Sequence, residues 1–352
     1  METMRVALVS TPHVSVPPRG YGGTELVVAE LAQALSARGV EVVVYATGDS
    51  ELPGIEVRSY FSEAQWPIDE DLERIHAQWC LRDAARDPRG FDVIHLHCCA
   101  ALEVAHLSPY PLVYTIHHAL DLERSARYAS APQVKIVAVS ENQARREKSR
   151  VDAVVHHGLE PSRFRQLPEQ GYLLFLGRYD KEKGVEQAIE VAARANLPLV
   201  LAGRAHQEEY YRQVLKPLLA RSNVLELGPV GGQQKVNLIA RARALLFPIQ
   251  WEEPFGLVMI EAMLCGVPVL ATRRGSVSEV VEDGLTGILC DDPSEMVAAA
   301  RIAEKFFDRD QIRSRAQHRW SAARMANDYL RVYRAAQLQR LTGRESFESA
   351  GA

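Results

Sequence analysis

The sequence predicts an α/β protein made of two doubly wound parallel sheets in tandem. Short runs rich in Val, Ile and Leu alternate with amphipathic stretches, the runs are apolar on both faces, and the alternation restarts after a polar, punctuated segment. A length of 352 residues is itself enough for about two domains.

The first series of strand-like runs is 4–10, 40–46, 91–97, 111–117, 134–140 and 151–157; the second is 172–177, 197–203, 224–228, 244–248, 267–272 and 287–290. Helical patterns lie between them at 24–38, 69–87, 185–195, 207–221 and 294–306. Pro161, Pro168 and Gly171 mark the boundary, giving a first domain over 1–165 and a second over 171–318. Residues 319–340 form one long helical pattern, and the small, polar residues 342–352 read as a frayed terminus.

Composition narrows the class. Lys plus Arg number 41 against 45 Asp plus Glu, a net charge of −4 that argues against a protein built to grip nucleic acid. No apolar run approaches the ~20 residues of a membrane helix, and the amino terminus lacks the pattern of a signal peptide. Cys80, Cys98, Cys99, Cys265 and Cys290 include no C-x-x-C pair and read as reduced thiols, which places the chain in the cytoplasm.

Open α/β sheets bind ligands at the carboxyl ends of their strands, so two such domains place the natural site in the cleft between them. The most specific strand-end sequence is Glu253-Pro-Phe-Gly-Leu-Val-Met-Ile-Glu261. Pro254 suits a first helical turn, and Gly256 lets a ligand approach the amides of a helix start. Read as helix throughout, the segment holds Glu253 and Glu261 roughly 12 Å apart. That is too far for the paired carboxylates of a retaining hydrolase, about 5–5.5 Å, but suits two ends of an extended nucleotide-sugar.

Residues 253–289 resemble the signature of family 4 glycosyltransferases, retaining enzymes of the GT-B fold, and the resemblance runs from the glycines near position 20 to the last long helix. It implies two Rossmann-like domains facing across a cleft, with the carboxy-terminal helix crossing back to the first. It also implies that Glu253 meets hydroxyls of a donor sugar, that Glu261 meets the ribose, and that backbone amides around Phe255, Gly256 and Leu257 touch the sugar and diphosphate. Gly177-Arg178 through Lys183-Gly184 is similar to the family's G-R-x4-K-G loop, in which Arg178 forks onto phosphate oxygens and Lys183 adds a point charge to the leaving diphosphate. Gly22 and Gly23 match its double glycine; they lack G-x-G-x-x-G, which argues against a nicotinamide cofactor.

Thr115-Ile116-His117 matches the family position in which the histidine lies under the donor sugar at the reacting carbon. An acidic residue often follows it; His118 stands here instead, which leaves the partner of His117 open. His97 reads as structural or acceptor-side, His156-His157 carries no role over, and the scattered histidines show no spacing of a structural zinc site. Glu25 reads as a dipole partner or cap, Ser140 as a helix cap or acceptor contact, and Lys181 as surface.

The resemblance thus implies a retaining, metal-independent transfer of a sugar from a nucleoside-diphosphate donor, itself a co-substrate, to the hydroxyl of a small molecule or glycan. The second domain holds the donor and the first the acceptor. A sugar phosphorylase, a nucleotide-sugar epimerase and a non-catalytic sugar-nucleotide binder are the alternatives.

Overall fold

The computed structural model describes residues 3–220 and 223–350, with side chains as far as residue 339. The chain forms two compact units, one of Met1–Gly158 with Ala322–Ala352 and one of Leu159–Ser321.

In the first unit, strands β1 (Arg5–Val9), β2 (Glu41–Tyr45), β3 (Glu56–Arg58), β4 (Val93–Leu96), β5 (Leu112–Thr115), β6 (Val134–Ala138) and β7 (Ala153–Val154) form one parallel sheet in the order β3-β2-β1-β4-β5-β6-β7. Central strands are buried along their length because helices cover both faces, so their side chains are apolar on both sides. Val9, Tyr45, Leu81, Ile94, Leu96, Tyr114 and Ile116 make the core of one face. The edge strand β3 is short and half-exposed, and no apolar run announces it.

The helix Gly23–Ser36 follows β1, and Glu70–Arg86 is capped by Asp69, whose carboxylate accepts the Asp71 and Leu72 amides. The long helix Ala322–Ala350 packs on Gly23–Ser36 and on β4 and β5. Arg38 fastens it by donating to the Ala323 carbonyl at 2.8 Å and to Asn327 Oδ1 at 2.7 Å. Its helical backbone runs to Ala350 within the segment that the composition marks as a frayed end, of which residues 351–352 lie outside the described residues.

In the second unit, β8 (Leu173–Leu176), β9 (Leu199–Ala202), β10 (Val224–Glu226), β11 (Ala244–Phe247), β12 (Val269–Thr272) and β13 (Gly287–Cys290) pair in parallel in the order β10-β9-β8-β11-β12-β13. Leu173, Phe175, Val185, Ile189, Leu201, Leu246 and Leu270 fill its core. The division falls after Gly158 and Ser321, so 159–165 and 319–321 belong to this unit. The Leu159 amide donates to the Trp320 carbonyl at 2.9 Å, and Leu159 pairs in parallel with Ser321.

The helical pattern at 207–221 is one helical run over residues 208–219, widened to a π-helix at Tyr211–Leu215, and residue 221 lies outside the described residues. Pro217 explains the widening, having no N–H to give and a ring that crowds the preceding turn.

Candidate active site

Strand order reverses between β1 and β4 in the first unit and between β8 and β11 in the second. Loops leaving the carboxyl ends of strands at such switch points carry the ligand sites of open α/β sheets. Of the candidate site residues, Gly22 and Gly23 follow β1, Arg178 and Lys183 follow β8, and Glu253–Leu257 follow β11; His117 follows β5, one strand beyond the reversal, and Glu261 lies inside a helix.

In the second unit, β8 runs through Gly177 and Arg178 into a tight turn at Lys181–Lys183, then into the helix Val185–Ala195. Gly184 joins turn to helix at φ 77°, and a Cβ there would stand 1.9 Å from the Pro248 carbonyl oxygen. Only glycine fits that approach. The Gln250 amide donates to the Glu182 carbonyl at 2.7 Å, so the loops after β8 and β11 are held edge to edge.

This contact places Lys183 on Glu253. Lys183 Nζ lies 2.6 Å from Glu253 Oε2 and 4.4 Å from the centroid of the Trp251 ring. Trp251 Nε1 donates to the same oxygen at 2.9 Å. Two donors on one oxygen fix the carboxylate, and among the described residues Oε1 accepts no protein hydrogen bond. Arg178 meets two carboxylates, Nε lying 3.2 Å from Asp180 Oδ2 and Nη2 donating to Glu182 Oε1 at 3.2 Å. Lys181 is exposed.

The segment from Glu253 to Glu261 is not helical throughout, so the 12 Å separation does not apply. The helix is Leu257–Leu264, and Gly256 before it takes φ 80°. Pro254 therefore belongs to the loop, which carries Glu253 toward Lys183. The Phe255 side chain is buried edge-to-face on Trp320. Leu257 opens the helix, and in its first turn the Met259 amide donates to the Gly256 carbonyl at 3.0 Å. Ser276 steadies the loop, its Oγ donating to the Phe255 carbonyl at 2.8 Å and its amide to the Glu253 carbonyl at 2.9 Å.

Glu261 is buried, and Lys235 Nζ lies 2.6 Å from its Oε1. Lys235 sits on the helix Gly232–Ala240 and escaped the sequence reading, since 26 residues of separation leave no local pattern to read. Trp251 escaped it too.

In the first unit, Gly22 and Gly23 form the junction between the β1 loop and the helix Gly23–Ser36. A Cβ at Gly22 would meet Pro18 Cβ at 2.8 Å and Glu25 Oε2 at 2.9 Å. Glu25 stands in the first turn of that helix and is buried; Thr11 Oγ1 donates to it, and burial raises its pKa. Burial alone would lower the His13 pKa, but its contact with Glu73 at 3.3 Å raises it.

His117 follows β5, and its Nε2 lies 2.9 Å from Nδ1 of His97, the partner that sequence left open. Its ring stacks on His157 at 5.4 Å between centroids and 15° between planes. Burial pushes the His117 pKa down to about 3 and holds His95, His97 and His157 well below the usual imidazole range, so all four are neutral at pH 7. His118 turns to the Tyr128 hydroxyl at 2.9 Å. Ser140 caps the helix Glu141–Arg146, its Oγ accepting the Gln143 amide. Among the described residues no group of three or more His, Cys, Asp or Glu side chains is arranged to hold a metal ion.

Each unit thus presents polar side chains at the carboxyl edge of its sheet. The second pairs a fixed carboxylate with cations, an arrangement able to meet hydroxyls with one and anionic oxygens with the other. Comparison with known proteins gives the family. Residues 160–323 match the model "Glycosyl transferases group 1", and residues 21–163 match "Glycosyltransferase Family 4". A D-inositol 3-phosphate glycosyltransferase of Acidothermus cellulolyticus is 26% identical over 96% of this chain and 92% of its own. The crystal structure of AviGT4, a glycosyltransferase involved in avilamycin A biosynthesis, is 28% identical, covers 95% of this chain and 98% of its own, and superposes with a TM-score of 0.73. Anabaena HepE, solved in complex with UDP and glucose, shares the fold at a TM-score of 0.73 and 20% identity over 94% of this chain and 100% of its own. The chain belongs to family 4 of the GT-B glycosyltransferases.

Proposed function

We propose that this glycosyltransferase takes its sugar from a nucleoside-diphosphate donor and transfers it, with retention and without a divalent metal, to the hydroxyl of a small molecule or glycan. The observation that carries the reading is the ion pair of Lys183 with Glu253 across neighbouring loops of the second unit, with Arg178 on the same loop as Lys183. Glu253 Oε1 accepts from a sugar hydroxyl while Oε2 is held by Lys183 and Trp251. Arg178 and Lys183 take the charge that develops on the departing diphosphate, which is the role a metal ion would otherwise fill. Amides of Phe255, Gly256 and Leu257 add to that charge, and Glu261, steadied by Lys235, accepts from the ribose.

The first unit supplies the acceptor surface beside Gly22 and Gly23, and His117 gives a hydrogen bond to the donor sugar. The displacement is front-face: the acceptor oxygen bonds to the anomeric carbon on the side from which the phosphate leaves, and that phosphate oxygen takes the acceptor proton. No separate cofactor takes part. Five unpaired cysteines suit a reducing, cytoplasmic setting, and no helix among the described residues is long and apolar enough to cross a membrane.

The UDP of the Anabaena structure puts UDP-sugars first in a screen that also holds GDP-, ADP- and dTDP-sugars, all with EDTA. The reading predicts release of one nucleoside diphosphate and a product whose proton NMR coupling shows the donor's anomeric configuration. Inversion, or turnover only with inorganic phosphate and a disaccharide, would refute it.

A further inference from the structure

His117 ends a cluster of imidazoles that belongs wholly to the first unit. His97 Nδ1 and His117 Nε2 are 2.9 Å apart and share one proton. The direction of that bond decides which nitrogen of His117 carries a hydrogen, because a neutral imidazole has one N–H.

The far nitrogen of His97 decides the direction. Nε2 of His97 is buried and has no hydrogen-bond partner among the described residues. If His117 were the donor, His97 would have to keep its own proton on Nε2, as a buried N–H with no acceptor. If His97 is the donor, Nε2 holds only an unshared acceptor pair. Orphaned buried N–H groups are the rarer of the two in folded proteins.

The neighbours offer no alternative. His95, 4.1 Å away between ring centroids, has both nitrogens committed: Nδ1 to the Tyr333 hydroxyl at 2.9 Å and Nε2 to Thr115 Oγ1 at 2.8 Å. Tyr329 holds that same Thr115 hydroxyl at 2.8 Å, so two tyrosines of the carboxy-terminal helix fix the ring beside His97. His157 stacked on His117 restrains the second ring.

We propose that His97 is a positioning residue: its Nδ1–H donates to His117 Nε2 and locks His117 as the Nδ1–H tautomer, the reverse of the form a free histidine favours. His117 then offers Nδ1–H, a donor and not an acceptor, to an oxygen of the donor sugar. That use rests on the role given to His117 under Proposed function; the tautomer does not.

The test is nitrogen-15 NMR of the full chain labelled at histidine, at pH 7, on wild type, His97→Asn and His97→Ala, beside steady-state transfer. Asparagine keeps an N–H near the lost Nδ1 and guards against a variant that merely fails to fold. Wild type and His97→Asn should show His117 protonated at Nδ1, and His97→Ala should admit the Nε2–H form. Loss of a partner that orients an imidazole should lower kcat about 10- to 100-fold in His97→Ala, with His97→Asn recovering most of it. A wild-type His117 protonated at Nε2, or a tautomer unchanged in His97→Ala, overturns the proposal. A shifted tautomer with undiminished kcat overturns its catalytic use. Wild type that transfers from no donor sugar, yet shows the expected tautomer, would refute the donor reading and leave the hydrogen bond standing.

Discussion

Replacing Lys183 by alanine separates the role proposed for this side chain from the contact that the structure shows. On the proposal it removes a cation from the departing diphosphate, and it takes one of two donors from Glu253 Oε2. A donor aimed at charge developing in the transition state is worth about 10²–10³ in kcat, or roughly 3–4 kcal/mol. For stability, the paired side chains are only 15% and 11% exposed, so little solvent replaces the lost ammonium. Stripping one partner from a buried ion pair costs about 3–5 kcal/mol when the other is left alone. Trp251 Nε1 still reaches the same oxygen, which brings the expected loss to about 1–3 kcal/mol. In a unit of this size that lowers Tm by about 2–4 °C per kcal/mol.

Adding Glu253→Gln to Lys183→Ala removes the stranded charge. The double variant should recover much of the lost Tm in a thermal melt while transfer stays at least about 10²-fold below wild type. If Lys183→Ala alone transfers within about threefold of wild type, the assignment of Lys183 to the diphosphate is wrong. If the double variant regains activity, Lys183 serves only to neutralise Glu253.

Gly184→Ala forces a Cβ to 1.9 Å from the Pro248 oxygen at φ 77°, so it should cost more than the ~1–3 kcal/mol of a left-handed alanine and show as a lowered melting transition; an unchanged Tm would refute the close approach. Lys235→Ala leaves Glu261 buried without its cation, and should raise the donor KM by about tenfold with kcat little changed in steady-state assays. His76, His95, His97 and His157 are buried with pKa values below the unfolded value of about 6.5. Below that pH the unfolded chain binds more protons than the folded one. Their stabilisation is therefore full above about pH 6.5 and is lost as pH falls, by at most ~1.4 kcal/mol each at pH 5.5. Melts at pH 7.5 and 5.5 should show a clear fall in Tm, and an equal or higher Tm at pH 5.5 would contradict it.

The sheets were legible because buried parallel strands repeat one signal, an apolar run with no alternation. Elements without that signal were not. Strand β3 is Glu-Val-Arg at a sheet edge, and the helix Arg309–Arg319 buries little beyond Ile312 and Ala316. At the candidate site, the loops could be read because glycines mark close approaches, as Gly184 does against Pro248. The side-chain pairs could not, because Lys183 and Glu253 stand 70 residues apart and meet only when β8 and β11 pair. His157 showed no local pattern, and only folding stacks it on His117. The start of the helix at Leu257 was misplaced because Pro254 favours a first turn, whereas Gly256 at φ 80° sets the boundary.

The most direct test of the central claim is titration calorimetry of UDP, GDP, ADP and dTDP into the full chain with EDTA present, repeated with Arg178→Ala. The account predicts that one diphosphate binds without metal and that Arg178→Ala weakens it by about tenfold or more. Binding of none of the four, binding that needs a divalent ion, or an Arg178→Ala variant that binds as tightly as wild type would contradict it.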